Sequence, residues 1–132
     1  MHSTNYFNTL ICPAEDCKSI AKVPTKPGSV AALQYDTLAR QPYSLTSDDL
    51  LSMVAATRKG VDNAGLAAFR EAFFSKGQPC LRASPLTKTH GWAVHADDDS
   101  RIALISPQNP EFEDLMRDDR VKKVYAMRNK RV

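Results

Sequence analysis

Apolar positions recur along this chain with two different periods, and the change from one to the other divides it. Tyr6 to Ile11 is rich in aromatic and β-branched residues and stops at Cys12-Pro13, which predicts a first strand. Residues 14–28 hold Pro24, Pro27 and Gly28 among scattered polar side chains, the composition of a loop laid over the surface. From Ser29, a natural N-cap, Val30, Leu33 and Leu38 recur at helical spacing until Pro42. A second helix starts at Thr46 or Ser47, where Thr46 and Asp49 approximate a capping box, and runs on Leu50, Leu51, Val54 and Ala55 to Gly60. Asp62 or Asn63 caps a third, with Leu66, Phe69 and Phe73 on one side and Lys76-Gly77 at its end.

After Pro79 the period becomes two. Cys80 to Ser84 reads as a strand, Pro85 to Gly91 as a loop, and Trp92 to His95 as a second strand with Trp92 and Val94 on one face. Asp97 to Asp99 form a turn, and Arg101 to Ile105 returns as the hairpin partner. Asn109-Pro110-Glu111 combines a cap, a proline at the first helical position and an acidic first turn, so a helix begins there and buries Phe112, Leu115 and Met116. Val121 to Met127 is read as the last strand, and a right-handed crossover would set it parallel to Arg101 to Ile105. The order predicts an α+β domain: three N-terminal helices packed on a small, mainly antiparallel sheet, with a further helix before the last strand.

Length and composition are consistent with one domain spanning residues 1–132, large enough to bury roughly two thirds of its unfolded surface. No apolar run approaches the roughly 20 residues of a membrane-spanning helix, and the N-terminus lacks a basic segment followed by an apolar one, so the cytoplasm is the expected compartment. Three cysteines are an odd number, and Cys12 and Cys17 do not have the spacing of a zinc knuckle, which favours free thiols. The net charge of +3 is uneven: Arg117 to Val132 carries seven Lys or Arg against two Asp, a local +5.

Four stretches carry a family likeness. They are Thr46-Ser47-Asp48-Asp49, the run Phe74 to Lys88, Gly91-Trp92 with His95, and Val121-Lys122-Lys123-Val124 with Ala126-Met127-Arg128. Together they resemble a family of small uncharacterised bacterial proteins, a domain of unknown function, over nearly the whole chain. The resemblance implies a complete one-domain protein of prokaryotic type and supplies no catalytic or binding residues.

Phe73 to His95 is the densest stretch of site-capable side chains, with the only Trp, two of three His and one Cys. Cys80 with His90 or His95 and a carboxylate from Asp97 to Asp99 has the parts of a nucleophilic site. However, Cys80 follows a helix C-terminus, whose dipole disfavours a thiolate. His90 and His95, with His2 or an aspartate, have a spacing seen in zinc sites but no cysteine pair beside them, so no metal is expected. Ser75-Lys76-Gly77-Gln78 is no phosphate loop, because its glycine comes after a helix rather than before one. These weighings leave, as the leading expectation, a non-catalytic domain that binds a small anionic ligand or a protein partner. Its pocket would lie between the third helix and the sheet, lined by Arg82, Lys88, His90, Trp92 and His95, with no cofactor. Two alternatives stand beside it. One is an enzyme using Cys80 or His95. The other is a nucleic-acid accessory protein using Arg120, Lys122, Lys123, Arg128, Lys130 and Arg131, where clustered cations suit phosphates.

Overall fold

The structure is a computed structural model that describes residues 2–130. Four short strands, β1 (Thr9–Cys12), β2 (Ala93–Ala96), β3 (Ile102–Ile105) and β4 (Lys122–Tyr125), form one sheet in the order β3-β2-β1-β4. The helices among the described residues are α1 (Val30–Arg40), α2 (Ser47–Arg58), α3 (Leu66–Phe73), α4 (Pro85–Lys88) and α5 (Pro110–Arg117). The class is α+β, and the helix before the last strand is present.

Two features of the predicted arrangement change. The sheet is mixed, because β4 pairs parallel with β1 while β1–β2 and β2–β3 are antiparallel. β4 thus runs in the same direction as β3 but is separated from it by two strands, β2 and β1. The helices are also interspersed between strands rather than gathered on one face. α1 and α2 enclose one core with Ile11, Val94, Ala96 and Ile102, whereas Phe112, Leu115 and Met116 of α5 pack on Leu10, Cys12, Ala93 and Ile105 from the other side. α3 packs chiefly on α2.

β1 is the centre of this arrangement. All four of its residues are buried, and alternate side chains feed the two cores, Ile11 one and Leu10 and Cys12 the other. It starts later than the predicted Tyr6 because Asn8 has a positive φ of 48° that breaks the extended run, and its N–H donates to Asp97 O.

Local signals set the helix starts. Ser29 Oγ accepts from Ala32 N, the Thr46 and Asp49 capping box is complete in both directions, and Asn109 caps α5 ahead of Pro110. The predicted strand Cys80 to Ser84 is instead a 3-10 turn over Leu81–Ala83, and the predicted loop after it contains α4. Ser84-Pro85 is a cap followed by a first-turn proline, and Leu81 O is taken by the Thr87 hydroxyl at 2.7 Å, so the segment turns into α4 and gives the end of β4 a single backbone bond, from Met127 N to Arg82 O.

The outer edge of β3 is covered at its start. Tyr43 N donates to Ile102 O, Ile102 N donates to Leu45 O, and Thr46 bridges Arg101, so the α1–α2 connection acts as a substitute strand. The strap of residues 14–28 is tied down by Ala14 N to Thr87 O, Lys22 N to His90 O, and Trp92 Nε1 to Lys22 O.

Candidate functional site

A mainly apolar cavity of about 470 Å³ opens between α1, α2, the end of α3 and the segment 78–85. Val30, Leu51, Val54, Phe73 and Pro79 form its apolar walls, with Gln34, Gln78, Cys80 and Ser84 as its polar groups and Arg58 and Lys59 at its rim. The two cations are exposed, and neither is in an ion pair among the described residues; Lys59 leans over the Phe69 ring, 5.8 Å from its centroid.

Gln34 sets the polarity of the inner wall. It lies between Val30 and Leu38 at four-residue steps on the buried face of α1 and is only 2% exposed. Its Oε1 accepts a hydrogen bond of 2.5 Å from Ser84 Oγ, while Ser84 Oγ in turn accepts from Leu86 N as the cap of α4. Turning the amide over would take that acceptor from the buried Ser84 hydroxyl, a loss of about 1–3 kcal/mol. The cap of α4 therefore fixes Gln34 with its Nε2 as the free end. That nitrogen has no acceptor among the described residues and is not sealed off from solvent, so a donor faces the cavity.

Cys80 also lines this cavity, with Sγ 3.3 Å from the Tyr6 hydroxyl. Burial, reinforced by the Cys80 contact, pushes the Tyr6 phenol up to about 12 against the opposing pull of Arg82. Tyr6 stays neutral and keeps its hydrogen at any ordinary pH.

A second cleft, of about 530 Å³, opens on the α5 side of the sheet and is polar. Asn8, His95, Asp97, Asp98, Asp99, Asp118 and Arg120 line it. Asp118 is held down at about 2 by hydrogen bonds from Arg120. His95 Nδ1 shares a hydrogen bond of 2.9 Å with the Tyr43 hydroxyl, which reaches round the edge of β3. Burial pushes the imidazole below its ordinary 6.5, and the surrounding Asp97, Glu111, Asp118 and Asp98 carboxylates oppose that without cancelling it. The unfolded chain then binds this proton first as pH falls. The associated stability is present above about pH 6.5 and is lost on acidification toward the lower folded value. The His95 ring resonances are expected to titrate with a midpoint below 6.5 by NMR; a midpoint above it would mean that the carboxylates outweigh burial. No group of three or more His, Cys, Asp or Glu among the described residues is arranged to hold a metal ion.

The five residues expected to line one pocket do not line a cavity together. Arg82 Nε donates to Tyr125 O at 2.6 Å, and Lys88 gives its carbonyl to Asn129 Nδ2. His90 Nδ1 lies 3.0 Å from Pro85 O, and Trp92 packs on Tyr35 with ring centroids 5.4 Å apart. Only His95 lines either large cleft, and Cys80 and His95 open on opposite sides of the sheet. Gln34, Arg58 and Lys59 line the cavity but are not among the site residues expected from the sequence, where Arg58 and Lys59 read as cations at the end of the second helix. The sign of Gln34 was one polar residue at the middle of the Val30–Leu38 apolar stripe. Among the basic C-terminal residues, Arg120 pairs with Asp118 and Arg128 approaches Glu15 at 4.0 Å. Lys123 Nζ donates to Asp118 O, Lys130 N donates to Asp16, Lys122 is exposed on β4, and Arg131 lies outside the described residues.

No helix among the described residues is long and apolar enough to cross a membrane. No curated protein and no solved structure matches the chain. A family model does match, over residues 1–132, so the chain belongs to a family of unknown function, DUF6157.

Proposed function

We propose that the protein is a binding domain for a small anionic ligand, held in the cavity between α1, α2 and residues 78–85. The observation that carries this reading is the combination of a 470 Å³ apolar cavity with two rim cations that have no carboxylate partner among the described residues. Apolar walls supply affinity for a hydrocarbon body, and a few placed polar groups orient it. Arg58 and Lys59 stand at the C-terminal end of α2, where the negative end of the helix dipole favours cations, and their side chains reach past it to the mouth of the cavity. The site differs from the one expected from sequence, while the chemistry of the ligand is the same.

Octanoate is a suitable probe, with octylamine as its oppositely charged counterpart. Octanoate is expected to raise the melting temperature of the wild type and to bind about tenfold more weakly to an Arg58→Ala/Lys59→Ala double variant, a difference of about 1.4 kcal/mol. Both positions are exposed, so the unliganded variant should melt within a few degrees of the wild type. Equal affinity for octanoate and octylamine, or an unchanged affinity in the double variant, would remove the anionic reading.

A further inference from the structure

The cavity has an inner wall as well as a rim, and the inner wall carries a chemical instruction of its own. Gln34 is 98% buried, and its Oε1 is committed to Ser84 Oγ, which is committed to capping α4. The amide therefore presents N–H and not C=O to the cavity. It has no acceptor there among the described residues.

We infer that the ligand is a bifunctional carboxylate: an anionic group held at the rim by Arg58 and Lys59, an apolar body, and a carbonyl or equivalent hydrogen-bond acceptor that receives Gln34 Nε2–H. This rests on the reading of the cavity as a small-carboxylate site and narrows it to oxo-acids and N-acyl or ester-bearing acids. Simple alkyl acids fit less well. In the empty cavity a water can satisfy the nitrogen. A purely hydrocarbon chain that displaces it leaves a buried donor unpaired, whereas a carbonyl replaces the water in kind. A site built around a buried polar group discriminates strongly against the analogue that lacks the matching group. The burial difference between the donor and the cations requires acceptor and carboxylate to sit at separate points of the ligand, one inside and one at the mouth.

The test compares octanoate with a series of oxo-octanoates whose ketone is moved along the chain, by calorimetry on the wild-type protein. The best oxo-octanoate is expected to bind about tenfold tighter than octanoate. In amide-detected NMR, the side-chain NH₂ pair of Gln34 should move downfield with that ligand and stay nearly still with octanoate. Gln34→Leu should bring the affinity ratio close to one while octanoate still binds. If octanoate binds but no oxo-octanoate improves on it and the Gln34 NH₂ signals do not respond, the inference is overturned and the small-carboxylate reading survives. If none of the acids binds, the small-carboxylate reading falls and takes this one with it. The wild-type comparison and the NMR signal decide the matter even if Gln34→Leu fails to fold.

Discussion

Replacing Gly91 with alanine is expected to destabilise the fold by about 3 kcal/mol, which lowers the melting temperature by about 12 °C for a domain of this size. Two effects combine there. Gly91 has a φ of +77°, which a side-chain-bearing residue adopts at a cost of about 1 kcal/mol or more. A Cβ at this position would also stand 2.5 Å from Ser19 O and 2.7 Å from Ile20 O, both backbone atoms that cannot rotate away. Making room means lifting the 14–28 strap, and that strains the bonds from Lys22 N to His90 O and from Trp92 Nε1 to Lys22 O. Gly60→Ala is the built-in control: its φ is +72°, yet nothing lies within 4 Å of its Cβ position, so only the conformational cost applies. Calorimetric melting of both variants separates the two contributions. Equal losses in the two would mean that the strap does not press on Gly91.

Asp48→Ala is expected to cost a similar amount, about 3 kcal/mol, through an unrelated mechanism. Asp48 is 7% exposed in the first turn of α2, and its carboxylate accepts from Thr4 N and Thr4 Oγ1 at 2.7 Å each and from Ser3 Oγ at 2.8 Å. Asn5 Oδ1 accepts from Asp48 N in return, and Thr4 Oγ1 meets Ser47 Oγ. Alanine would leave Thr4, itself 4% exposed, with a buried N–H to satisfy and its hydroxyl with Ser47 Oγ alone. The N-terminal arm would loosen from α2. Because Tyr6 lies on that arm and covers Cys80, loosening should also speed alkylation of Cys80 by iodoacetamide, alongside the lower urea midpoint. Asp48→Asn keeps one carbonyl oxygen in place and should lose clearly less. A Cys80 that reacts at the wild-type rate in Asp48→Ala would show that the arm is held by something else.

What could be read from the sequence was what neighbouring residues decide among themselves. The Thr46–Asp49 capping box, the Asn109-Pro110 start and the Asp97 to Asp99 turn all depend on contacts within a few residues, and each stands where it was expected. Ser84-Pro85 is equally local, and its cap-and-proline signature outweighs the period-two pattern of Cys80 to Ser84, in which only Leu81 among Cys80 to Ala83 is fully buried. The place of β4 beside β1 was not local at all, since it depends on which sheet edge remained free once the Tyr43–Leu45 segment had taken the other. The same holds for the candidate site. Gln34, Arg58 and Ser84 come from α1, α2 and the cap of α4, and only packing brings them together. The reactive residues from Phe73 to His95 are contiguous in sequence, but the sheet separates Cys80 from His95.

The α1–α2 connection that caps the start of β3 also bears on how this protein behaves when crowded. The other outer strand is β4, whose far end is engaged by Arg82 through Tyr125 O and Met127 N and whose open part carries Lys122 and Lys123. Two copies docking there would bring lysine against lysine, so concentrated stocks should resist edge-to-edge fibril formation at low salt and lose part of that protection as salt rises.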